Sequence, residues 1–375
     1  MTDVNPSGPV GVGPVGVGLI GAGVISTQYL DNLTTFPDVR VLFVADIDVE
    51  RARLQAETYG IPGFGTVEQL LAVAEIEIVV NLTIPAAHVE VAMQVLAAGK
   101  NVWTEKPIAL DRESGVALLA EAERLGLRVA TAPDTFLGAG LQAGKRLIEE
   151  GRIGTPLTAL TLFQGAGPES WHPNPDFYYT AGGGPLFDMG PYYLTTLVQN
   201  FGPVKRVAAT ASTSKQSRVI GSGPREGERL PVETPTHFSA LIEFESGASA
   251  QSVFSFQSSL PRNGFVEIAG STGTIVFPDP NQFQGELLLW ADGAKEPERL
   301  ITVSETGRGT GVVELARAIR AGVPERASGE QAYHVLDVMV SIAEAAETGE
   351  FVAVRSSMAL PASLPEEWDP RAATL

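Results

Sequence analysis

Residues 15–26 read VGVGLIGAGVIS, and this stretch decides the fold. Residues 15–20 are a short apolar run broken by glycine, the pattern of a strand buried on both faces. Residues 24–33 can follow as a helix. Gly-x-Gly recurs near the start of the chain, but the copy at Gly21-Ala22-Gly23 both follows a strand and opens a helix, as a phosphate-binding turn must. Gly21 permits the tight turn. Gly23 lets the backbone approach a pyrophosphate whose charge rests on the helix N-terminus. Val24 and Ile25, in the first turn of that helix, are assigned to the cofactor with them. Ser26 stands where Gly or Ala is usual, a mild departure because Ser is small.

Residues 39–45 form the next apolar run and end at Asp46, 25 residues after Gly21. A carboxylate there would accept hydrogen bonds from both hydroxyls of an adenosine ribose and would repel a 2′-phosphate. Ile47 and Asp48 follow, with no base between, so NAD is expected rather than NADP. Asp48 suits a helix N-cap better than Asp46 does.

Helical patterns at 48–59, 68–74, 88–98 and 113–125 alternate with apolar runs at 76–82, 101–103 and 128–132. This alternation predicts an α/β domain with a doubly wound parallel sheet over 15–133. After about residue 155 the texture changes to longer runs of polar alternation, at 157–163, 204–211, 237–244, 248–256, 264–269, 273–277 and 286–290. These predict a second, α+β domain over 134–375 on a large, mostly antiparallel sheet. Late helices are expected at 312–321 and 331–347, and residues 1–14 are expected to form a flexible tail.

The chain has 375 residues, enough for two cores, with 44% hydrophobic and 19% charged residues. It contains no cysteine, which excludes disulfides, zinc–thiolate sites and cysteine nucleophiles. Its four histidines, His88, His172, His237 and His334, stand at no metal-ligand spacing, so no metal is expected. A formal net charge of −18 opposes nucleic acid and anionic membranes. The first basic residue is Arg40 and no apolar stretch reaches membrane-spanning length, so a cytoplasmic protein is expected.

Two further stretches carry chemistry. The first is Asn81-Leu-Thr83-Ile-Pro85-x-x-His88, followed by Ala98-Gly-Lys100-x-Val-x-x-Glu105-Lys106-Pro107. The second is Gly182-Gly-Gly-Pro-Leu-Phe-Asp188-Met-Gly190-Pro-Tyr192. Together they resemble the Gfo/Idh/MocA family of sugar and polyol dehydrogenases, and the resemblance runs from about Val15 to about Val354. It implies NAD as cofactor, held also by Thr83, Pro85, His88, Glu105 and Lys106. It implies that Lys106 sits beside the nicotinamide and the reacting hydroxyl, and that Asp188 and the residue four places on complete the site. Many members have His at that last position. This chain has Tyr192, as do dimeric dihydrodiol dehydrogenases and glucose–fructose oxidoreductases. The resemblance also implies a homodimer or homotetramer built on the open face of the second sheet.

Chemistry supports the set independently. Oxidising an alcohol by hydride loss requires a base for the hydroxyl proton. An unaided tyrosine, with pKa ~10, is a poor base near neutrality, and an adjacent ammonium stabilises its phenolate. Asp188 and Tyr192 share one face if their segment is helical.

Between these motifs, residues 167–179 pack aromatic and polar groups that suit a sugar ring. Trp171 and His172 are predicted substrate contacts, as is Asp134, which lies where the chain leaves the first sheet. The predicted reaction is hydride transfer between a carbohydrate or polyol secondary hydroxyl and the nicotinamide. The alternative is an NAD-dependent glycoside hydrolase that oxidises the ring transiently, eliminates the aglycone and re-reduces. That route needs a further base, for which Glu169, His172 and Asp176 are candidates.

Overall fold

The structure, a computed structural model, describes residues 13–303 and 306–375. The tail expected at 1–14 therefore lies almost wholly outside the described residues.

The first sheet has six parallel strands: β1 (Val15–Ile20), β2 (Val39–Ala45), β3 (Gly63–Gly65), β4 (Ile76–Asn81), β5 (Asn101–Thr104) and β6 (Val129–Thr131). Their order is β3-β2-β1-β4-β5-β6. Six consecutive buried residues in β1 explain why it reads as a continuous apolar run. The helices between these strands are α1 (Val24–Leu33), α2 (Val49–Tyr59), α3 (Val67–Leu71), α4 (His88–Ala97) and α5 (Arg112–Leu125). Asp48 caps α2 by accepting from the Arg51 amide. In such a sheet the connections leave β1 and β4 in opposite directions, which opens a crevice at their C-terminal ends.

The second sheet has nine strands in the order β16-β15-β14-β13-β7-β12-β11-β8-β17. In chain order these are β7 (Pro156–Gln164), β8 (Val204–Ser212), β11 (His237–Phe244), β12 (Ser249–Ser255), β13 (Arg262–Gly270), β14 (Gly273–Phe277), β15 (Gly285–Ala291), β16 (Glu298–Thr302) and β17 (Val352–Ala353). The short β9 (Ser217–Val219) and β10 (Arg229–Pro231) pair separately. All pairs in the large sheet are antiparallel except β7 with β12.

One face of this sheet is covered by α6 (Ala139–Glu149), α7 (Gly184–Phe201) and α9 (Gly329–Thr348). The register puts Leu241, Leu160, Val276 and Leu288 in one row of the opposite, open face. The last helices return to the first sheet. α8 (Thr310–Ala321) packs on β4 and β6, and a side chain at Gly311 would collide with Trp103. Arg317 pairs with buried Asp38 at 2.8 Å, and Arg112 pairs with buried Asp337.

α9 also carries a buried acid-sensitive joint. His334 is fully buried; its Nε2 accepts from the Val204 amide at 2.9 Å and its Nδ1 lies 2.9 Å from Ser356 Oγ. Accepting that amide requires a neutral ring. Burial pushes the imidazole down to about 4, against the opposing pull of Asp337. In the unfolded chain it titrates near 6.5. The folded state therefore binds fewer protons between those values, so this contribution is full above pH ~6.5 and is lost as pH falls towards ~4. A loss on the order of 3 kcal/mol is expected. Thermal melts of the wild type and His334→Gln across this range test it: the wild type should lose more stability than the variant, and parallel profiles would remove the assignment.

Candidate active site

The crevice between β1 and β4 is shaped by backbone. Gly21 has φ 100°, and a side chain there would lie 2.7 Å from the Leu82 carbonyl oxygen, so the close approach of the two strand ends demands glycine. Gly23 differs. Its φ is −76°, and a side chain would meet nothing within 4 Å. The space in front of Gly23 is open, and it faces the first turn of α1, which has no side-chain cap. Ser26 is fully buried; it donates to the Gly23 carbonyl at 2.6 Å and accepts from Gln55 at 2.8 Å. The residue that departs from the usual motif thus braces the turn from behind.

Asp46 ends β2 beside this loop. One carboxylate oxygen accepts from the Ala22 amide at 2.7 Å. The other accepts from the Asp48 amide and from Arg51, both at 2.8 Å. Arg51 reaches back from the first turn of α2, a basic neighbour that the linear order 46–48 does not reveal. Val24, Ile47 and Ile84 around the crevice are 91%, 97% and 70% exposed. Three bare apolar side chains around an uncapped helix N-terminus fit the adenosine and pyrophosphate of a dinucleotide.

Of the other residues assigned to the cofactor, Thr83 and Pro85 lie in the turn after β4. The Thr83 amide and hydroxyl both donate to Asn81 Oδ1, at 3.3 and 2.7 Å. His88 is not a ligand-facing group. It is 1% exposed, and its ring nitrogens lie 2.8 Å from the Pro107 carbonyl and 3.0 Å from the Thr83 carbonyl. It ties the turn after β4 to the turn after β5. Glu105 accepts from Tyr29 at 2.8 Å and from the Lys106 amide at 3.0 Å, while Trp103 donates to Tyr29 at 3.1 Å. This buried chain fixes the segment that carries Lys106.

Lys106 meets α7. Its Nζ donates to the Asp188 carboxylate at 2.9 Å and to the Asp188 carbonyl at 2.7 Å, and lies 5.2 Å from the centre of the Tyr192 ring. Two of its three N–H bonds are thus engaged among the described residues, which leaves one for an oxygen in the cleft. Burial works to lower the ammonium's pKa, but Asp188, Tyr192 and Glu105 outweigh it and hold the group above the usual lysine range. α7 itself is an improbable helix. Gly190 and Pro191 in its interior weaken it, and burial of 14 of its 18 residues overrides propensity. It brings Asp188 and Tyr192 to one face, as the i, i+4 spacing predicts.

The aromatic loop forms the far wall. His172 packs edge-on against Trp171, Phe177 and Tyr178, with centroids 5.4–5.5 Å apart. Burial lowers the His172 pKa, and Asp188 pulls it the other way. Burial and Asp188 push the Tyr178 hydroxyl well above its ordinary range, against Lys106. His172 and Tyr178 therefore sit within electrostatic reach of the Lys106–Asp188 pair, and Trp171 stands 63% exposed at the rim. Glu169 is tied to Arg218 at 2.8 Å and to the Tyr179 hydroxyl, and Asp176 to Arg225 at 2.5 Å. Two of the three candidate bases for an elimination are thus held by arginines.

Asp134 corrects the sequence reading. It is fully buried, as is Thr135. One Asp134 oxygen accepts from the Gly309 and Gly311 amides at 2.8 and 3.2 Å, capping the N-terminus of α8 from a distant point in the chain. A group without any motif, Arg308, joins the site there. Its Nη2 donates to the Tyr192 hydroxyl at 3.2 Å and to Asn281 Oδ1 at 2.8 Å.

This crevice and the lysine, aspartate and tyrosine beside it define an NAD-binding oxidoreductase. The chain belongs to the GFO/IDH/MocA family. Residues 15–132 match its oxidoreductase model with the NAD-binding Rossmann fold, and residues 141–276 match its C-terminal domain. The chain is similar to 1,5-anhydro-D-fructose reductase of Ensifer adhaerens, 24% identical over 85% of this chain and 92% of that one. It is also similar to trans-1,2-dihydrobenzene-1,2-diol dehydrogenase of Oryctolagus cuniculus, 26% identical over 67% of this chain and 70% of that one. In fold it is similar to levoglucosan dehydrogenase solved with NADH and levoglucosan, with a TM-score of 0.79, 21% identity, and 91% of this chain and 99% of that one covered.

Proposed function

We propose that the protein oxidises a secondary hydroxyl of an uncharged sugar or cyclic polyol with NAD. The observation that carries this reading is the Lys106–Asp188–Tyr192 cluster opposite an aromatic wall. Bound NAD supplies the hydride acceptor. Lys106 directs its remaining N–H towards the substrate oxygen, Asp188 holds that ammonium in place, and Tyr192 takes the hydroxyl proton. The substrate O–H and C–H bonds break, a C=O bond and the Tyr192 O–H bond form, and the hydride electron pair leaves with the cofactor. Lys106, Arg308, Arg218 and Arg225 are each matched by a carboxylate, which favours a neutral substrate over a sugar phosphate or uronate. The sugar-linked names of the relatives support the same class.

Asp46 favours NAD over NADP, because a 2′-phosphate would meet its carboxylate. The reading is tested by titrating both cofactors against tryptophan fluorescence. A panel of neutral sugars, polyols, sugar phosphates and uronates is then screened with NAD for growth of the NADH absorbance band. Tighter binding of NAD and turnover confined to neutral compounds are expected. Equal affinities would remove the role of Asp46, and turnover of the anionic compounds alone would remove the substrate class.

We also infer that a second copy covers the open face of the nine-stranded sheet. Leu160, Leu241 and Trp290 are 42%, 39% and 37% exposed on it. Sedimentation velocity should show an oligomer that Leu160→Arg weakens, and a monomeric wild type would contradict this.

A further inference from the structure

Arg308 precedes α8 and belongs to no motif. Its side chain is 12% exposed. The guanidinium lies 5.4 Å from the Tyr192 ring centre and 5.8 Å from that of Phe283, with Nη2 shared between the Tyr192 hydroxyl and Asn281. Its Nη1 lies 3.6 Å from Asp134 Oδ1, and both atoms are buried without a hydrogen-bond partner among the described residues. The second Asp134 oxygen holds the backbone of the same loop through Gly309 and Gly311. Removing a carboxylate and a guanidinium from water to this depth carries a large desolvation cost. A fixed charge at Tyr192 is what the arrangement delivers.

A guanidinium can only donate hydrogen bonds, so the Tyr192 oxygen must accept from Arg308. The phenolic proton cannot point that way. Lys106, the other cation at this ring, is also only a donor, and two of its N–H bonds are turned to Asp188. The charged and titratable groups facing Tyr192 are Lys106, Arg308, Asp188 and Tyr178, and Asp188 is engaged by Lys106. We propose that Arg308, anchored by Asp134, is a positioning residue that turns the Tyr192 O–H into the cleft and stabilises its phenolate. This rests on the reading of Tyr192 as the proton carrier.

The test uses the full chain labelled with [13Cζ]tyrosine and needs neither substrate nor cofactor. The Tyr192 resonance is identified by its loss in Tyr192→Phe and is followed through a pH titration. Arg308→Met should move the Tyr192 midpoint to higher pH, because a counter-charge beside its oxygen is lost. Arg308→Lys should move it less, and Asn281→Ala, which keeps the charge but frees one anchor, should also move it upward. These two milder variants carry the test if Arg308→Met does not fold. In turnover, Arg308→Met should lower kcat by ~10–10²-fold near neutrality, with loss partly recovered at higher pH. NAD affinity should be unchanged. A lowered Tm with an unmoved Tyr192 midpoint would overturn the proposal and leave a purely structural residue. If Tyr192→Phe keeps near-normal turnover, the proton-carrier reading falls and this one with it. If Tyr192→Phe is inactive while Arg308 variants leave the midpoint unmoved, this inference alone fails.

Discussion

Tyr192→Phe is expected to lower turnover by ~10²–10⁴-fold while leaving NAD affinity nearly unchanged. The phenylalanine ring keeps the buried surface of Tyr192 and loses one atom, the oxygen that takes the proton. Lys106 and Arg308 both stand beside that oxygen's ring, so the change should strand two cations without disturbing their carboxylate partners. Lys106→Ala should be at least as damaging, since it removes the ammonium and leaves Asp188 unpaired in the cleft. Steady-state kcat and cofactor titration on the same preparations check both. Near-normal turnover in Tyr192→Phe would pass the proton to another group, with His172 on the aromatic wall a candidate.

Gly23→Val should weaken NAD binding by ~10²-fold or more without changing thermal stability, because it fills open space that only a bound pyrophosphate would use. The backbone at Gly23 tolerates a side chain, with φ −76° and no atom within 4 Å of the added carbon. Gly21→Ala should behave in the opposite way. Its φ of 100° and the 2.7 Å approach to the Leu82 carbonyl predict a loss on the order of 1–3 kcal/mol of stability. Calorimetric titration with NAD and differential scanning calorimetry separate the two. A Gly23→Val protein that binds NAD as the wild type does would place the pyrophosphate elsewhere.

The first sheet was legible because a buried parallel strand writes a continuous apolar run and its turns must carry glycine. Five of its six strands and the loop at 21–23 follow from those two requirements; β3, the three residues Gly63–Gly65 at the sheet edge, writes no apolar run and was missed. α7 is the opposite case: Gly190 and Pro191 oppose a helix locally, and the segment is helical because its side chains fill the core. α6 went unread because Gly140, Gly144, Gln142 and Lys145 stand among its buried positions, so its core-facing stripe does not read as apolar. Lys106, Asp188 and Tyr192 were readable because short spacings carry them. The partners of Asp134 were not readable, because the amides it accepts from lie 175 and 177 residues away. Arg308 and Arg51 were not readable at all. Each acts through a contact that no local pattern announces.

Net hydride transfer from a sugar carbon can be separated from glycoside cleavage in one paired assay. The protein is incubated with NAD and either a free neutral sugar or its aryl glycoside, while NADH, ketone and released aglycone are measured together. NADH should accumulate one for one with ketone from the free sugar, with no aglycone release. Aglycone release that requires NAD yet leaves no net NADH would contradict it and establish redox-neutral glycoside cleavage instead.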